Sequence, residues 1–514
     1  MTTLFRSALW VSGFALLSRI LGFTRDILTA GLLGSSLAAD ALVVALTIPN
    51  LARRLLGEGA FAQALIPLLA THAQHPEHQA QLMSGVMTTL GVIVSALTML
   101  AVVMAPGLVW VLAPGFGYGS APFELAVQLL RWMLPYLIFL VLTALISAFL
   151  NYHQRFAWVA FTPCLLNLAV IIAALVLAPN MDPPVLALAW GVVLGGVVQL
   201  GLQWPLWWRL QGSIRWCWAW HDPQIKTLLL RLLPIVLSAA VPQLSFLLNS
   251  MLASTLSQGS IAWLYYADRL MQFPLGFLGA GLATVILPRL VQEEGSSPYH
   301  FSQTLQWALR WALLLALPAT IGLMLLAQPI VTTLFYYGAF AAHDVQQTGM
   351  SLQAYTLGLL AFILIKILLP AFYARQQIRT PTRIAVLSLG LNLGLSLLLM
   401  GPLAQVGLAL ATALAAWLNA GLLFFSLHQR QLCVWQVGWG LFVGRLLLAN
   451  LLMAFVILSL AEPVADWLLW SSRERLFELS GIMAAAVVSY GMGLAVLGLR
   501  PHHLQVASEK WIGG

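Results

Sequence analysis

Residues 18–67 read SRILGFTRDILTAGLLGSSLAADALVVALTIPNLARRLLGEGAFAQALIP, and this stretch decides the fold. It has the apolar character of two membrane helices, yet it carries seven ionisable side chains: Arg19, Arg25, Asp26, Asp40, Arg53, Arg54 and Glu58. An ionised group at membrane depth costs about 2.5 kcal/mol or more unless it is paired or wetted. We therefore expect these helices to line a polar, water-filled cavity. Four of the seven charges are arginines, so we expect this cavity to receive an anion.

The rest of the chain is still more apolar. Of the 514 residues of the whole chain, 61% are hydrophobic and 8% are charged, whereas soluble domains have about 25% charged residues. Proline, glycine and charge clusters divide it into fourteen predicted membrane spans: 5–33, 37–70, 80–112, 122–150, 156–178, 184–208, 227–256, 261–291, 301–336, 345–374, 382–400, 403–427, 435–460 and 475–499. The sequence thus predicts an all-α polytopic membrane protein.

The positive charges predict the orientation of these spans. Loops on one side and both ends of the chain carry eleven basic residues: Arg6, Arg155, Arg209, Arg215, Lys226, Arg375, Arg379, Arg383, Arg430, Arg500 and Lys510. The opposite loops carry only Arg473 and Arg475. Basic loops stay in the cytoplasm, so we expect both termini there and read the N-terminal apolar run as an uncleaved first span. The net charge of +8 therefore reflects membrane topology rather than nucleic-acid binding.

An internal repeat predicts two similar halves. Pro106 and Pro329 are 223 residues apart, and so are Phe149 and Phe372, each preceded by alanine. Gln154 and Gln377 repeat the same separation. We expect an N-lobe of six spans (1–210), a C-lobe of six (211–430), two further spans (431–500) and a cytoplasmic tail (501–514). Parallel repeats about an axis along the membrane normal suggest a pseudo-twofold pair of lobes that give alternating access to a central site.

Further charges lie inside later spans. Asp268 and Arg269 lie in the eighth span and Lys366 in the tenth. With the first seven they give six cations and four acids at the expected cavity, a surplus of two positive charges. Arg19 and Asp26, seven residues apart, share one helix face, and Ser18 and Arg25 share the adjacent one. A guanidinium binds phosphate oxygens through two parallel hydrogen bonds, so an arginine-rich cavity suits a pyrophosphate.

Two structural alternatives remain open at this point. The charges are also compatible with internal salt bridges that position helices. Arg53 and Arg54 are also compatible with side chains that reach the cytoplasmic surface.

Metal, cofactor and enzyme signatures are absent from the sequence. Cys164, Cys217 and Cys433 have no metal-ligand spacing. His72, His75 and His78 fit a solvated turn in a polar loop, with a metal site as the alternative. There is no Walker A, metalloprotease or nucleophile-elbow motif, so we expect no cofactor and no ATP hydrolysis. Transport then has to run on an ion gradient or on the membrane potential.

Five segments resemble a known family. They are SRILGFTRD, AADAL, IPNLARRLLGEGAFAQALIP, YYADRLMQFPLG and FYARQQIRTP. They are similar to the MurJ (MviN) lipid II flippases of the multidrug/oligosaccharidyl-lipid/polysaccharide exporter superfamily. The resemblance implies fourteen helices, two six-helix lobes, and a groove for the lipid tail formed by the last two spans. It implies flipping of an undecaprenyl-pyrophosphate-linked peptidoglycan precursor from the inner to the outer leaflet of the bacterial inner membrane.

The resemblance also implies roles for individual residues. The cavity arginines of the family fall on Arg19, Arg25, Arg53 and Arg269; its functional acids fall on Asp26, Asp40 and Glu58, and its small polar position falls on Ser18. Some members bind sodium through an Asn and an Asp four residues apart; here Asn392 is followed at that spacing by Ser396, which disfavours a sodium site. We expect lipid II and membrane lipids as partners, a monomer, and cell-wall synthesis proteins as candidate associates.

Several other functions compete with this hypothesis. A flippase for another polyprenyl-pyrophosphate-linked oligosaccharide would share the arginines. A cation-coupled drug exporter of the same superfamily would show carboxylates without an arginine surplus. A membrane glycosyltransferase would need catalytic acids in a large outer loop, and a non-transporting scaffold would not need the cavity charges.

Overall fold

A computed structural model describes residues 2–57, 59–72, 74–211, 217–293, 298–433 and 438–499. Every regular element in these residues is helical. The chain divides into two compact units, Met1–Ala262 and Trp263–Gly514. The predicted all-helical, multi-span fold class is therefore confirmed, while the lobe boundaries drawn from the repeat stay a prediction.

The first unit holds the helices that carry residues 18–67. Its helices are α1 (Thr2–Leu33), α2 (Leu37–Ala52), α3 (Ala60–Thr71), α4 (Pro76–Val103), α5 (Ala105–Leu112), α6 (Ala121–Met133), α7 (Tyr136–Tyr152), α8 (Phe156–Ile172), α9 (Val185–Gln211) and α10 (Pro223–Ala253). A π-helical turn, Arg53–Gly57, follows α2, and another, Ala173–Leu177, follows α8. Short 3-10 turns lie at Pro114–Phe116 and Ala178–Asn180.

Later helices make up the second unit, apart from the first turn of α11. They are α11 (Ser260–Pro274), α12 (Ala280–Glu293), α13 (Pro298–Leu325), α14 (Ala327–Phe335), α15 (Ala342–Thr356), α16 (Leu359–Ala374), α17 (Arg379–Gln429), α18 (Trp439–Leu460), α19 (Val464–Leu469) and α20 (Ser472–Val496). A π-helical turn, Leu275–Gly279, joins α11 to α12. Inside α17, Ala404 has φ 47° and ψ −130°, so this element is two helices joined at a break.

Eight helices of the described residues are long and apolar enough to cross a membrane, or nine if the bent pair α15–α16 is one span. They are Glu77–Val103, Ala121–Tyr152, Phe156–Asn180, Val185–Leu210, Tyr299–Leu325, Arg379–Gln429, Trp439–Leu460 and Ser472–Val496. The break at Ala404 falls beside the predicted boundary between two spans, so Arg379–Gln429 covers both. The total of fourteen spans stays a prediction.

The repeat is visible in the positions of the helices. Leu37 and Ser260 begin α2 and α11, 223 residues apart, and the π-helical turns after them begin at Arg53 and Leu275. The same separation relates the first residues of α7 and α16 and of α8 and α17. In each unit separately the same neighbours meet: α3 packs on α7 as α12 packs on α16, and α4 packs on α7 as α13 packs on α16. Each half therefore repeats one packing scheme.

A continuous apolar core holds α3, α4 and α7 together in the first unit. Leu65, Leu69, Met83 and Leu145 are fully buried there, and Phe149 is 2% exposed. Close packing and satisfied backbone hydrogen bonds, rather than exclusion of water, stabilise helices within lipid. This core fixes the π-helical turn Arg53–Gly57, which packs on α7, α10 and α3.

Arg475 fastens the last span to α14 within the second unit. Although the sequence places it in an outer loop, it is the fourth residue of α20 and is 6% exposed. Its guanidinium donates to the carbonyls of Trp467 and Leu468, at 2.8 and 3.2 Å. It also donates to the Tyr336 carbonyl at 3.2 Å and lies 4.8 Å from the centre of that ring. This arginine therefore joins α19 and α20 to the end of α14.

Candidate functional site

Arg25 is the centre of a polar contact between α1 and α8. Its Nη2 donates to the Asp26 carboxylate at 2.7 Å, and its Nη1 donates to the Asn167 Oδ1 at 3.1 Å. The Asn167 amide in turn donates to the Ser18 carbonyl at 3.0 Å. The Arg25 side chain is 20% exposed and the Asp26 side chain 6%. The structure thus brings together three predicted site residues and one amide, Asn167, that the sequence analysis missed.

Gly22 allows α8 to approach α1 at this contact. A Cβ atom at Gly22 would lie 3.3 Å from the Asn167 Nδ2, closer than side-chain packing normally allows. Asn167 lies four residues after Pro163, within an otherwise apolar helix. A buried amide in such a helix needs partners, because an unsatisfied polar group costs about 1–3 kcal/mol. An amide in an apolar span was the signal that sequence reasoning had available.

Arg19 and Ser18 differ from their neighbour Arg25. Arg19 is exposed on the surface of α1, and Ser18 is half-buried with its carbonyl bound to Asn167. The sequence placed Arg19 and Asp26 on one face, and in the structure Asp26 forms an ion pair with the adjacent Arg25. Arginine has a long side chain, so it can reach a carboxylate one residue away.

Asp40 is hydrogen-bonded to two backbone amides. Its side chain is 4% exposed, and its two carboxylate oxygens accept from the Gly259 and Ala262 backbone amides at 2.7 and 2.9 Å. These amides lie at the first turn of α11, where a negative charge is favoured by the helix dipole. Asp40 therefore ties the start of α2 to the start of α11, and its predicted contact with a ligand stays a prediction.

Arg53 and Arg54 lie on the π-helical turn that interrupts the second predicted span. Both are half-buried, and the Arg54 Nη1 donates to the Gln243 side chain on α10 at 2.6 Å. A π-helical turn adds one residue to the helix and re-aims the side chains beside it, which is a frequent feature of functional sites. Glu58, the remaining acid of this stretch, lies outside the described residues.

Asp268 and Arg269 lie together on α11 in the second unit. The Gln272 amide donates to the Asp268 carboxylate. Arg269 donates to the Tyr265 hydroxyl at 3.1 Å, and its guanidinium carbon lies 4.8 Å from the centre of the same ring. Tyr266 is 1% exposed and packs on Phe335 with the ring centres 5.2 Å apart, which fixes this face of α11.

Lys366 lies against the π-helical turn of the second unit. A Cβ atom at Gly279 would lie 2.8 Å from the Lys366 Cδ, so the glycine makes the room that this side chain occupies. In the first unit, Gly57 lies against Leu140 of α7 in the equivalent way, with 3.2 Å from its Cβ position to a Leu140 methyl. In each unit, the glycine that ends the π-helical turn thus packs on the corresponding helix, which is α7 in the first unit and α16 in the second.

The candidate cation ligands of the sequence do not converge on one site in the described residues. No group of three or more His, Cys, Asp or Glu side chains in the described residues has the geometry to hold a metal ion. His75 and His78 have ring centres 5.3 Å apart, while His72 contacts the Gln224 amide at 3.1 Å. Asn392 is 2% exposed and accepts from Thr412 at 3.3 Å, with Ser396 fully buried nearby on the same helix. This neutral set lacks the carboxylate that a sodium site of the implied type needs.

An open groove of about 670 Å³ lies in the first unit among α4, α7 and α9. Its lining is apolar and includes Met87, Gly91, Ile138, Leu142 and Trp204. It contains none of the predicted site residues. Its lining is apolar and therefore suits hydrocarbon rather than an anion.

The family model and the related proteins that this chain matches carry the same description. The family described as lipid II flippase MurJ matches residues 29–478. A probable lipid II flippase MurJ of Vibrio cholerae is 38% identical, covering 98% of this chain and 98% of that protein. A probable lipid II flippase MurJ of Haemophilus influenzae is 39% identical (95% and 99% covered), and the lipid II flippase MurJ of Burkholderia cenocepacia is 38% identical (95% and 95%).

Two solved structures share the fold. A lipid II flippase MurJ in an inward closed conformation has a TM-score of 0.78 at 24% identity, covering 95% of this chain and 98% of its own. An inward-facing multidrug transporter of the MATE family has a TM-score of 0.66 at 15% identity, covering 81% and 98%. At these identities the likeness concerns the fold alone.

Proposed function

Because the chain belongs to the MurJ family of lipid II flippases, we propose that it moves lipid II, a lipid-linked pyrophosphate, from the inner to the outer leaflet. The chain is a multi-span membrane protein of a transporter family, not an enzyme family. The observation that carries the proposal is the similarity to curated MurJ proteins over nearly the full length of both chains. The charge pattern supports the same substrate class.

The arginines supply the chemistry that a pyrophosphate requires. Arg25 is one-fifth exposed and is held by one carboxylate and one amide, so its guanidinium is oriented before a ligand arrives. Arg269 is oriented by the Tyr265 hydroxyl and ring in the same way. Charge-assisted bonds from arginine to phosphate are stronger than bonds between neutral groups. A doubly charged head group offers more ionised acceptor oxygens than the single Asp26 carboxylate and is therefore able to compete with it for Arg25.

The transport cycle follows from this competition. In the inward-open state, Arg19, Arg25 and Arg269 bind the pyrophosphate, with Arg53, Arg54 and Lys366 adding positive charge and Ser18 flanking the first arginine. Asp26, Asp40, Glu58 and Asp268 compensate the cations when the cavity is empty. Binding of the anion lowers the repulsion between cationic groups of the two lobes, which permits closure and outward opening. The membrane potential is the driving force that we propose, because Ser396 replaces the acid of a sodium site.

Location and assembly belong to the same proposal. We place the chain in the bacterial inner membrane with both termini in the cytoplasm, following the excess of basic residues on one set of loops. The lobes are residues 1–210 and 211–430, and the spans in 431–500 hold the lipid tail. The protein works as a monomer, with cell-wall synthesis proteins as candidate associates.

Substitution of one arginine in each unit tests the proposal. Arg25→Ala and Arg269→Ala are expressed in cells that depend on this gene, and lipid-linked precursor at the outer face is measured with an impermeant reagent. Loss of one charge-assisted contact of about 1.5–3 kcal/mol predicts at least a tenfold fall in outer-leaflet precursor.

Arg473→Ala is the matched control, because Arg473 is exposed in the first turn of α20. It is expected to leave precursor exposure unchanged at equal protein level. Normal exposure in both Arg25→Ala and Arg269→Ala would reject the arginine mechanism. A depletion strain whose precursor still reaches the outer face without any of this protein would reject the flippase function itself.

A further inference from the structure

Arg310 is a charged side chain within a membrane span, and the proposed transport mechanism does not use it. It lies in α13, within the apolar segment Tyr299–Leu325. Its guanidinium carbon is 5.4 Å from the centre of the Trp439 ring and 5.9 Å from that of Phe442, both on α18. Aromatic faces attract a cation at this distance. The two rings therefore form a bracket around the guanidinium.

Among the described residues, the positive charge of Arg310 has no anionic partner. The Nε of Arg310 is buried without a hydrogen-bond partner, and within the described part of the chain no carboxylate pairs with this guanidinium. Cation–π contacts alone stabilise a cation by less than the cost of leaving a buried charge uncompensated. An acceptor from outside the protein would make up the difference.

The bracket is held in place by hydrogen bonds of its own. The Trp439 indole donates to the Gln306 side chain at 2.9 Å, and Gln306 donates to Ser302 at 3.1 Å. Trp439 is 6% exposed and Gln306 3%. The ring that contacts Arg310 is thus fixed by α13 itself, so the site exists before a ligand arrives.

The repeat shows that the fold does not require a charge here. Met87 on α4 is the residue 223 positions before Arg310, and it is an apolar side chain that is 3% exposed. The α4 position in the first unit faces an open apolar groove, whereas in the second unit α18 packs on α13. Arg310 is therefore present in the unit in which α18 places two aromatic rings against this position of α13.

The depth of the site suits a lipid head group. Trp439 is the first residue of α18, so Arg310 lies at the level of the first turns of that helix. Arg445, further along α18, donates to the Gly498 carbonyl beyond the end of α20 at 3.3 Å. Tryptophan and arginine together at a span end are typical of the membrane interface, where lipid phosphates lie.

We propose that Arg310, bracketed by Trp439 and Phe442, binds the phosphate group of a membrane lipid on the surface of the second unit. The planar guanidinium stacks on the rings while its terminal nitrogens donate to phosphate oxygens. Two lipids present this chemistry, a glycerophospholipid and a polyprenyl pyrophosphate. None of the three residues of this site is among those proposed to bind the transported head group, and the proposal does not depend on transport.

Lipid binding to the purified, full-length protein tests this inference. Native mass spectrometry is carried out with added phosphatidylglycerol, with a polyprenyl pyrophosphate, and with diacylglycerol, which has no phosphate. Arg310→Met installs the residue that the repeat itself carries, so the variant is expected to fold. We expect it to bind one or both phosphate lipids roughly tenfold more weakly, since a charged hydrogen bond contributes about 1.5–3 kcal/mol. Diacylglycerol binding is expected to be unchanged.

Two further variants complete the test. Arg310→Lys keeps the charge without the planar fork and is expected to bind more tightly than Arg310→Met and less tightly than the wild type. Arg289→Gln is the matched control, since Arg289 also lies over a tryptophan, Trp307, with 5.5 Å to the ring centre. If Arg310→Met loses binding of phosphatidylglycerol alone, the lipid bound at this site is a bulk phospholipid. If it loses binding of the polyprenyl pyrophosphate alone, the site binds a lipid of the transported type. If Arg310→Met binds each of the two phosphate lipids as tightly as the wild type does, the inference is overturned.

Discussion

Arg25 on α1 and Asn167 on α8, 142 residues apart in sequence, are joined by a hydrogen bond of 3.1 Å. The same amide donates to the Ser18 carbonyl, so it spans two turns of α1. One neutral side chain therefore orients the guanidinium that we propose for pyrophosphate binding. Because the amide is neutral, it competes with an incoming anion less than a carboxylate would.

Asn167→Asp changes that competition. A second carboxylate beside Arg25 would hold the guanidinium more strongly, by about 1.5–3 kcal/mol for a charged contact. We expect outer-leaflet precursor to fall about tenfold or more. The unfolding temperature is expected to change little, because the new ion pair with Arg25 offsets the lost hydrogen bond to the Ser18 carbonyl. The measurements are precursor sidedness in cells and the unfolding temperature of the purified protein. Asn180→Asp is the control, because Asn180 is exposed beyond the end of α8. Full activity of Asn167→Asp would contradict the role given to Arg25.

Asp40→Ala removes the acceptor for two buried backbone amides. Gly259 and Ala262 would then be left without a partner, at about 1–3 kcal/mol for each group. We expect a clear fall in the unfolding temperature in detergent, and a smaller fall for Asp40→Asn, which keeps one oxygen acceptor. Glu124→Ala, on the exposed first turn of α6, is expected to change stability by less than about 0.5 kcal/mol. If Asp40→Ala abolished transport without changing stability, Asp40 would be a ligand-binding residue rather than a helix cap.

Gly279→Ala tests the position of Lys366. The new methyl group would come within 2.8 Å of the Lys366 Cδ, so the flexible lysine side chain has to move. We expect nearly unchanged stability and reduced precursor transport, because the ammonium group shifts while the helix packing stays. Gly281→Ala is a matched control two residues away, where a Cβ meets nothing within 4 Å. Equal transport by both variants would show that the place of the lysine does not matter.

The native cysteines report both burial and sidedness. Burial raises the pKa of the Cys433 thiol to about 12, and only the thiolate reacts with maleimide. We expect Cys433 to stay unlabelled in the folded protein between about pH 7 and pH 9 and to react after denaturation. Cys217 is half-buried between α9 and α10, on the side predicted to be cytoplasmic.

An impermeant maleimide is therefore expected to label Cys217 in inverted vesicles and not in intact cells. Cys217→Ser and Cys433→Ser assign the labelled position. Labelling of Cys217 from outside the cell would reverse the proposed topology. Labelling of Cys433 as fast as Cys217 would contradict its burial.

Helix positions were predictable because apolar runs, prolines and charge clusters are local signals. The second predicted span, 37–70, corresponds to α2, the π-helical turn and α3, which end at Thr71. The repeat was predictable for the same reason, since three residue matches at one separation were enough to align the halves. The resemblance to the flippase family rested on motifs in these segments, and it is confirmed.

Partners of individual side chains were not predictable in the same way. Asn167 meets Arg25 only because α8 packs on α1 at Gly22, a contact between distant segments. The burial of Arg475 depends on carbonyls at the ends of α14 and α19, which no local pattern reveals. Helix periodicity places Arg19 and Asp26 on one face but does not reveal the ion pair between Asp26 and the adjacent Arg25, because that pair depends on the conformation of the arginine side chain.

Movement of lipid II by the purified protein tests the central claim most directly. Fluorescent lipid II is placed in proteoliposomes with an imposed membrane potential, and an impermeant quencher reads its sidedness over time. We predict transfer between leaflets that depends on the protein and exceeds transfer in protein-free vesicles. Transfer no faster than in protein-free vesicles, with folded and monodisperse protein present, would contradict the account.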